Sequence, residues 1–90
     1  MSLQVIRFSA SWCSPCGLMG KVMERVSPQF SDVEFQTVDI DEDNDLASTM
    51  KVRAVPTLAF VKNGTLVDTL VGLQKEDVVV KTINKWRQDD

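Results

Sequence analysis

The sequence predicts an α/β protein with a four-stranded mixed sheet and helices on both of its faces. Three observations lead to this fold class. The apolar residues alternate between a strand-like and a helical spacing, a two-residue turn signal joins the last two strand-like segments, and 90 residues suffice for one hydrophobic core. We therefore expect a single domain over residues 1–90, in the order strand, helix, strand, helix, two hairpin strands and helix.

The first half of the chain predicts a strand–helix–strand unit. Leu3–Phe8 is a compact apolar run typical of a strand, and Val33–Ile40 alternates apolar and polar residues like a second strand. Between them, Pro15 suits the first turn of a helix, and Pro28 ends that helix near Val26 or kinks it. The apolar residues of this helix share one face: Met19, Val22, Met23, Val26 and Phe30. Such a unit closes with a right-handed crossover and parallel strands.

The second half predicts a short helix, a hairpin and a final helix. Asn44–Val52 is a weaker helical stretch, and Thr57–Val61 has the composition of a buried strand. Asn63-Gly64 is a strong hairpin signal that joins this strand to Thr65–Val71 as an antiparallel partner. Glu76–Arg87 has apolar residues at helical spacing, although its consecutive valines favour a strand locally, and we predict a helix.

The composition excludes several classes of protein and site. A net charge of −3 without a basic cluster argues against a nucleic-acid-binding surface. No apolar run reaches the roughly 18–20 residues of a membrane helix, and the first residues lack the pattern of a signal peptide, so we expect neither. Because the sequence has no histidine, Cys–His catalysis, Ser–His–Asp catalysis and histidine-ligated metals are excluded.

The residues that carry chemistry are Trp12-Cys13-Ser14-Pro15-Cys16, between the first strand and the first helix. A thiol at the first turn of a helix faces free N–H groups and the positive end of the helix dipole, which favour the thiolate. The second cysteine lies one turn further in and is normally more buried, so the pair combines an exposed nucleophile with a shielded resolving thiol. The alternatives are inert core cysteines or half of a zinc site, but a zinc site would need a second pair. The position favours redox chemistry.

An acidic run from Asp39 to Asp45 is the other conspicuous motif. As a calcium loop it fails, because Asn44 stands in place of the required glycine and Met50 in place of the final glutamate. We expect the run to end a strand and begin a helix, with Asp43 or Asp45 as the N-cap, and we expect no metal site.

Four motifs resemble the thioredoxin family, in its order and at its spacing. They are Phe8-Ser9-Ala10-Ser11-Trp12-Cys13-Ser14-Pro15-Cys16, Val38-Asp39-Ile40-Asp41, Val55-Pro56-Thr57 and Lys62-Asn63-Gly64. The resemblance extends from Leu3 to Trp86 and implies a thioredoxin-like fold. The strand and helix that precede this region in most members have no counterpart in the sequence, so we expect a short form, as in some viral and archaeal members.

The resemblance implies a protein-disulfide reductase, a thiol–disulfide oxidoreductase that needs no cofactor. Cys13 would attack the substrate disulfide, and Cys16 would resolve the mixed disulfide. Pro56 would be cis and face the cysteines, against the alternative of an ordinary trans proline. The candidate substrate-binding residues are Trp12, Pro15, Val55, Pro56, Gly72 and Leu73. Two alternatives stay open: that Trp12 merely packs, and that Gly72 merely ends the hairpin.

The implied partners are disulfide-containing proteins and a thioredoxin reductase, with no nucleic acid and no membrane, and the resemblance implies a cytoplasmic monomer. A second function is open, that of a protein-binding subunit whose docking surface matters more than its thiols. A glutathione-dependent glutaredoxin is disfavoured, because glutaredoxins usually carry a proline–tyrosine pair between the cysteines.

Departures from the family pattern bear on how the thiols ionise. Ser14 replaces the usual glycine, and Gly17 stands where a lysine is common. Arg7 occupies the place of the buried aspartate that accepts a proton from the second cysteine, and Thr37 the place of a lysine that accompanies it in many bacterial members. We hypothesise that Cys16 is deprotonated without a carboxylate. Arg7 is then a candidate for proton transfer or for modulating the pKa of Cys16, and bulk hydroxide is the other route.

An arginine in a central strand needs a partner, because charge is rarely buried unpaired. We expect the long side chain of Arg7 to carry its guanidinium to water or to an acid such as Asp39. The alternative is that Arg7 lies too far from Cys16 to affect it.

Overall fold

A computed structural model describes residues 2–87, which form a four-stranded mixed sheet with helices on both faces. The elements are β1 (Leu3–Ser9), α1 (Ser14–Val26), a 3-10 turn (Ser27–Gln29), β2 (Val33–Asp39), α2 (Asn44–Thr49), β3 (Thr57–Lys62), β4 (Thr65–Val71) and α3 (Glu76–Arg87). The strand order is β2-β1-β3-β4, in which β1 and β2 are parallel and the other pairs antiparallel. The predicted fold class and order of elements are confirmed.

The sheet separates two hydrophobic clusters, because successive side chains of a strand point to opposite faces. In β1, Leu3 and Val5 face one side, whereas Ile6 and Phe8 face the other. The larger cluster lies under α1 and α3 and contains Met19, Val22, Met23, Val26, Val79 and Ile83 from these helices. The smaller cluster lies under α2, which contributes Ala47. None of the helices that the structure describes has the length and apolar character needed to cross a membrane.

Turn and cap residues set most of the boundaries. Asn63 and Gly64 have φ of 52° and 83°, the left-handed conformation that a two-residue hairpin turn requires. Asp43 is the N-cap of α2, where its Oδ1 accepts a hydrogen bond from the Leu46 N–H at 3.1 Å, so this cap prediction is confirmed. Pro28 lies in the 3-10 turn that follows α1.

Four boundaries differ from the prediction: β1 and β3 each extend one residue further than expected, to Ser9 and Lys62, and α2 and β2 are shorter. α2 ends at Thr49 rather than at Val52, because the chain turns out of the helix at Lys51, whose φ is +59°. A residue in this left-handed conformation cannot continue a right-handed helix. β2 ends at Asp39, one residue earlier than expected.

α3 is helical despite its valine run, because the helical spacing buries Val79 and Ile83 completely. Near its end, Arg87 ties the helix to the loop before β2. Its Nε donates to Asp32 Oδ2 at 2.8 Å, and its guanidinium stacks over the ring of Phe30 at 5.1 Å. The hydrogen bond from Arg87 is the main reason that the pKa of the Asp32 carboxyl is lowered.

Candidate active site

Cys13 and Cys16 form a disulfide at the start of α1, with their Cα atoms 5.3 Å apart. Cys13 is the N-cap residue of the helix, and its Sγ accepts a hydrogen bond from the Cys16 N–H at 3.3 Å. Pro15 lies in the first turn, where its missing N–H costs no helical hydrogen bond. When the disulfide is reduced, the same N–H and the helix dipole face the Cys13 sulfur and favour its thiolate.

The two cysteines differ in exposure. Cys16 is only 2% exposed because it lies on the buried face of α1, one turn before Met19. Cys13 precedes the helix and is partly exposed. A sulfur of an incoming disulfide can therefore approach Cys13 directly, whereas Cys16 is reached through Cys13.

The loop before β3 lies against the disulfide. The Val55–Pro56 peptide bond is cis, as the resemblance implied. The Sγ of Cys13 lies 3.7 Å from the carbonyl oxygen of Val55. The N–H of Gly72, just after β4, donates to the carbonyl oxygen of Pro56 at 2.8 Å, so the end of the hairpin is tied to the same loop. Gly72 has a φ of 88°, which glycine adopts without steric cost.

Trp12 projects from the loop before α1 and is 67% exposed, so it is not packed in the core. Its Nε1 donates to Asp41 Oδ2 at 3.0 Å, which fixes the indole beside the end of β2. Together with Val55, these two residues line an open cavity of about 360 Å³ on the α2 side of the cysteines. The sequence identified Trp12 as a docking candidate but gave no sign that Asp41 holds it. Of the other docking candidates, Pro15 and Leu73 are also exposed.

Arg7 extends from β1 toward α1, on the face of the sheet that carries Cys16. Its Nη1 donates to the carbonyl oxygen of Cys16 at 3.5 Å, and its Nη2 donates to Thr37 Oγ1 at 3.2 Å. Thr37 is its register partner in β2. Gly20 of α1 lies beside the guanidinium, and a Cβ at that position would lie 3.5 Å from Nη1, in ordinary van der Waals contact.

Of the two destinations expected for the Arg7 guanidinium, water or an acid such as Asp39, the contact with Asp39 is not formed among the described residues. Asp39 lies two residues beyond Thr37, and its Oδ1 accepts a hydrogen bond from the Asp41 N–H at 2.8 Å instead. The half-buried guanidinium lines a cavity of about 200 Å³ between α1 and β2. Of the described residues that line this cavity, Glu24 is the other charged one.

The part of the chain that the structure describes contains no group of three or more cysteine and carboxylate side chains arranged to hold a metal ion. The acidic run serves local structure: Asp39 and Asp43 accept backbone hydrogen bonds, and Asp41 accepts one from Trp12.

Comparisons with known proteins place these features in a family. The thioredoxin family model matches residues 1–85. Thioredoxin H2-1 of Oryza sativa subsp. japonica is 44% identical over 85 residues, which are 94% of this chain and 61% of the rice protein. A thioredoxin of Malassezia sympodialis is 46% identical over 70 residues, which are 76% of this chain and 67% of that protein.

Solved structures agree with the sequence matches. A mutant thioredoxin from Halobacterium salinarum superposes with a TM-score of 0.91 and 35% identity, over 99% of this chain and 78% of that one. The chain therefore spans about three fifths of the rice protein's length and about four fifths of the archaeal structure.

Proposed function

The chain belongs to the thioredoxin family, and we propose on that premise that it reduces protein disulfides by dithiol–disulfide exchange. The observation that carries the proposal is the cysteine pair at the start of α1, with Cys13 partly exposed and Cys16 buried, beside the loop with the cis Val55–Pro56 bond. No contact among the described residues favours the alternative, in which the docking surface acts without the thiols.

The proposed reaction has two exchange steps. In the reduced protein, the Cys13 thiolate attacks one sulfur of the substrate disulfide, a mixed disulfide forms, and the other substrate sulfur leaves as a thiolate. The Cys16 thiolate then attacks the Cys13 sulfur, which releases the second substrate thiolate and forms the Cys13–Cys16 disulfide. The substrate gains two electrons, and at neutral pH its two thiolates take two protons from solvent; the protein loses two electrons, and Cys16 gives its proton to solvent.

We propose that Trp12, Pro15, Val55, Pro56, Gly72 and Leu73 hold the substrate during these steps. Trp12 and Leu73 are exposed and offer apolar area to a substrate, Trp12 at the cavity on the α2 side. The Val55 carbonyl, 3.7 Å from the Cys13 sulfur, is available to an extended substrate segment.

Insulin reduction tests the exchange reaction, with dithiothreitol as the electron donor. The Cys13→Ser variant should show no reduction above the dithiothreitol background and form no mixed disulfide. The matched Cys16→Ser variant should also fail to turn over, but it should accumulate a mixed disulfide with insulin that non-reducing gels detect. Equal mixed-disulfide formation by both variants would refute the assignment of Cys13 as the attacking thiol.

We infer in addition that Arg7 acts on Cys16 as a fixed positive charge. A guanidinium keeps its proton in proteins, so Arg7 is unsuited to proton transfer itself. A cation close to a thiol favours the thiolate, and the Arg7 guanidinium lies 3.5 Å from the Cys16 carbonyl oxygen. Bulk hydroxide would then remove the proton from Cys16 in the mixed disulfide.

The pH profile of insulin reduction tests this role of Arg7. Arg7→Met should shift the profile to higher pH because the thiolate loses a favourable charge, and Arg7→Asp should shift it further because it adds a repelling one. Arg7→Lys should restore most of the wild-type profile. Two variants control for altered surroundings: Thr37→Val removes a hydrogen-bond partner of Arg7, and Glu24→Gln removes the other charge at the cavity. An unchanged profile in Arg7→Asp would exclude any electrostatic role.

We propose that the protein works as a cytoplasmic monomer, in a single domain over residues 1–90, and contributes to electron transport and redox homeostasis. Both hydrophobic clusters share β1 and β3, which supports one cooperative unit. A reducing compartment keeps such a thiol pair in the dithiol form. A thioredoxin reductase would supply the electrons, and oxidation of NADPH coupled to insulin reduction tests this. Sedimentation measurements test the monomeric state. A single cooperative unfolding transition is the result expected for one domain.

A further inference from the structure

A groove lies between α1, the helix that begins at the cysteine pair, and the segment that enters α3. Leu18 lies two residues after Cys16, and Leu73 follows Gly72, whose N–H is bonded to the Pro56 carbonyl. The groove has a volume of about 590 Å³. It lies on the α1 side of the sheet, whereas the cavity lined by Trp12 lies on the α2 side.

The walls of the groove are apolar. Leu18 and Leu73 are 54% and 49% exposed, and they are two of the five large hydrophobic residues that the described part of the chain leaves exposed. Val22 lines the groove one turn of α1 beyond Leu18 and is buried. An apolar side chain from a partner that enters the groove would cover both leucines at once.

The rim of the groove is cationic, although the protein carries a net charge of −3. Lys21, Arg25 and Lys75 line it together with Glu76. Arg25 Nε and Glu76 Oε1 form an ion pair at 2.8 Å. The side chains of Lys21 and Lys75 have no partner within residues 2–87, and both residues are exposed.

The charged residues of α1 favour an anionic ligand at this rim. Lys21 and Arg25 are four residues apart on α1, and like charges at this spacing repel each other. Glu76 offsets the charge of Arg25 through their ion pair. Glu24 lies three residues after Lys21 on the same helix, but no ion pair joins the two side chains within residues 2–87, so the Lys21 ammonium stays available to a ligand. A carboxylate bound between Lys21 and Lys75 would offset their charges.

We propose that this groove binds an acidic–apolar segment of the substrate protein, with an apolar side chain between Leu18 and Leu73 and flanking carboxylates at Lys21 and Lys75. The inference rests on the proposed reductase function and adds a substrate class to it: disulfides that lie next to an apolar residue between acidic ones. Substrates of this kind are held on the α1 side while Cys13 attacks their disulfide.

Three disulfide peptides of one length test the proposal on the unmodified protein. One carries a Glu-Leu-Glu flank beside its disulfide, the second a Gln-Leu-Gln flank, and the third a Glu-Ser-Glu flank. We expect kcat/KM to be about 2- to 30-fold higher for the first than for the second, the range that two exposed ion pairs produce. The difference should lie in KM and should shrink as salt is added. The Glu-Ser-Glu peptide should also have the higher KM, since it leaves the leucines uncovered.

Matched variants locate the effect. Lys21→Glu combined with Lys75→Glu should abolish or reverse the preference for the Glu-Leu-Glu peptide. Lys51→Glu combined with Lys81→Glu changes the net charge equally at exposed positions outside the groove and should preserve the preference. Equal kcat/KM values for the three peptides on the unmodified protein would overturn the proposal, as would an equal loss of preference in both double variants.

A neutral small disulfide, bis(2-hydroxyethyl) disulfide, separates this proposal from the proposed function. It has no flank for the groove to bind, so the Lys21→Glu/Lys75→Glu variant and its matched control Lys51→Glu/Lys81→Glu should reduce it at equal rates. Failure of the unmodified protein to reduce it or any peptide would refute the reductase function itself. Reduction of every disulfide without a flank preference would refute the groove alone.

Discussion

A substitution at Gly20 tests whether the Arg7 guanidinium can accommodate an added methyl group. Gly20 lies inside α1, where glycine is less favourable than alanine by about 0.8–1.0 kcal/mol. A Cβ added there would meet Arg7 Nη1 at 3.5 Å and Cζ at 3.6 Å, which is ordinary van der Waals contact. We therefore predict that Gly20→Ala raises the free energy of unfolding by about 0.5–1 kcal/mol, the larger part of the helical preference.

Urea unfolding followed by tryptophan fluorescence measures this change. The midpoint should rise at constant slope, and the melting temperature should rise by about 2–8 °C for a domain of this size. Gly17→Ala is the matched control: it lies in the same helix with no atom within 4 Å of an added Cβ. A loss of stability in Gly20→Ala that disappears in the Arg7→Met background would show that the guanidinium cannot accommodate a methyl group, and the reasoning would fail.

Three further substitutions probe the fold. Asp32→Asn should remove the stabilisation that the ion pair with Arg87 provides, because this pair needs the carboxylate. In the unmodified protein the stabilisation is present above the ordinary aspartate pKa of 3.8 and is lost as the pH falls through the lowered pKa of the folded state. Urea midpoints between pH 2 and 7 measure the difference. Asp43→Ala should lower the free energy of unfolding by about 0.5–2 kcal/mol through loss of the α2 cap, measured by urea unfolding. Ile83→Ala should lower the same quantity by about 2–5 kcal/mol, because Ile83 is 0% exposed under the sheet.

A specific result would contradict each of these three predictions. An identical pH dependence in Asp32→Asn and the unmodified protein would show that the ion pair with Arg87 is without effect. Asp45→Ala, in the first turn of the same helix but not at its cap, serves as control for Asp43→Ala, and equal losses would contradict the capping role. A loss below about 1 kcal/mol in Ile83→Ala would contradict the packing of α3, since cores with such substitutions lose more.

The order of elements was predictable because the apolar spacing and the turn residues agree with each other. Asn63-Gly64 dictated the hairpin through the left-handed conformation of both residues. The burial of Val79 decided for a helix where local preference favoured a strand. The end of α2 was not predictable, because it depends on the backbone conformation of Lys51 rather than on a helix-breaking residue.

Some features of the candidate site were likewise predictable from the sequence, and others were not. The position of Cys13 before a helix-starting proline was readable in the sequence, since it depends on spacing along one segment. The partners of Arg7 were not, because they depend on which of several long-side-chain conformations fits between α1 and β2. Gly20 was no signal of this contact, because a Cβ at that position would also fit beside the guanidinium, at 3.5 Å from Nη1.

The helices on the two sides of the cysteine pair bury very different numbers of residues. α1 buries five residues, whereas α2 buries only Ala47. Segments with little buried apolar surface open locally at a lower free energy than the rest of a protein, and their amide hydrogens exchange with solvent sooner. We therefore expect the α2 side, where Asp41 and Trp12 meet, to open locally at a lower free energy than the α1 side, which holds the two sulfur atoms.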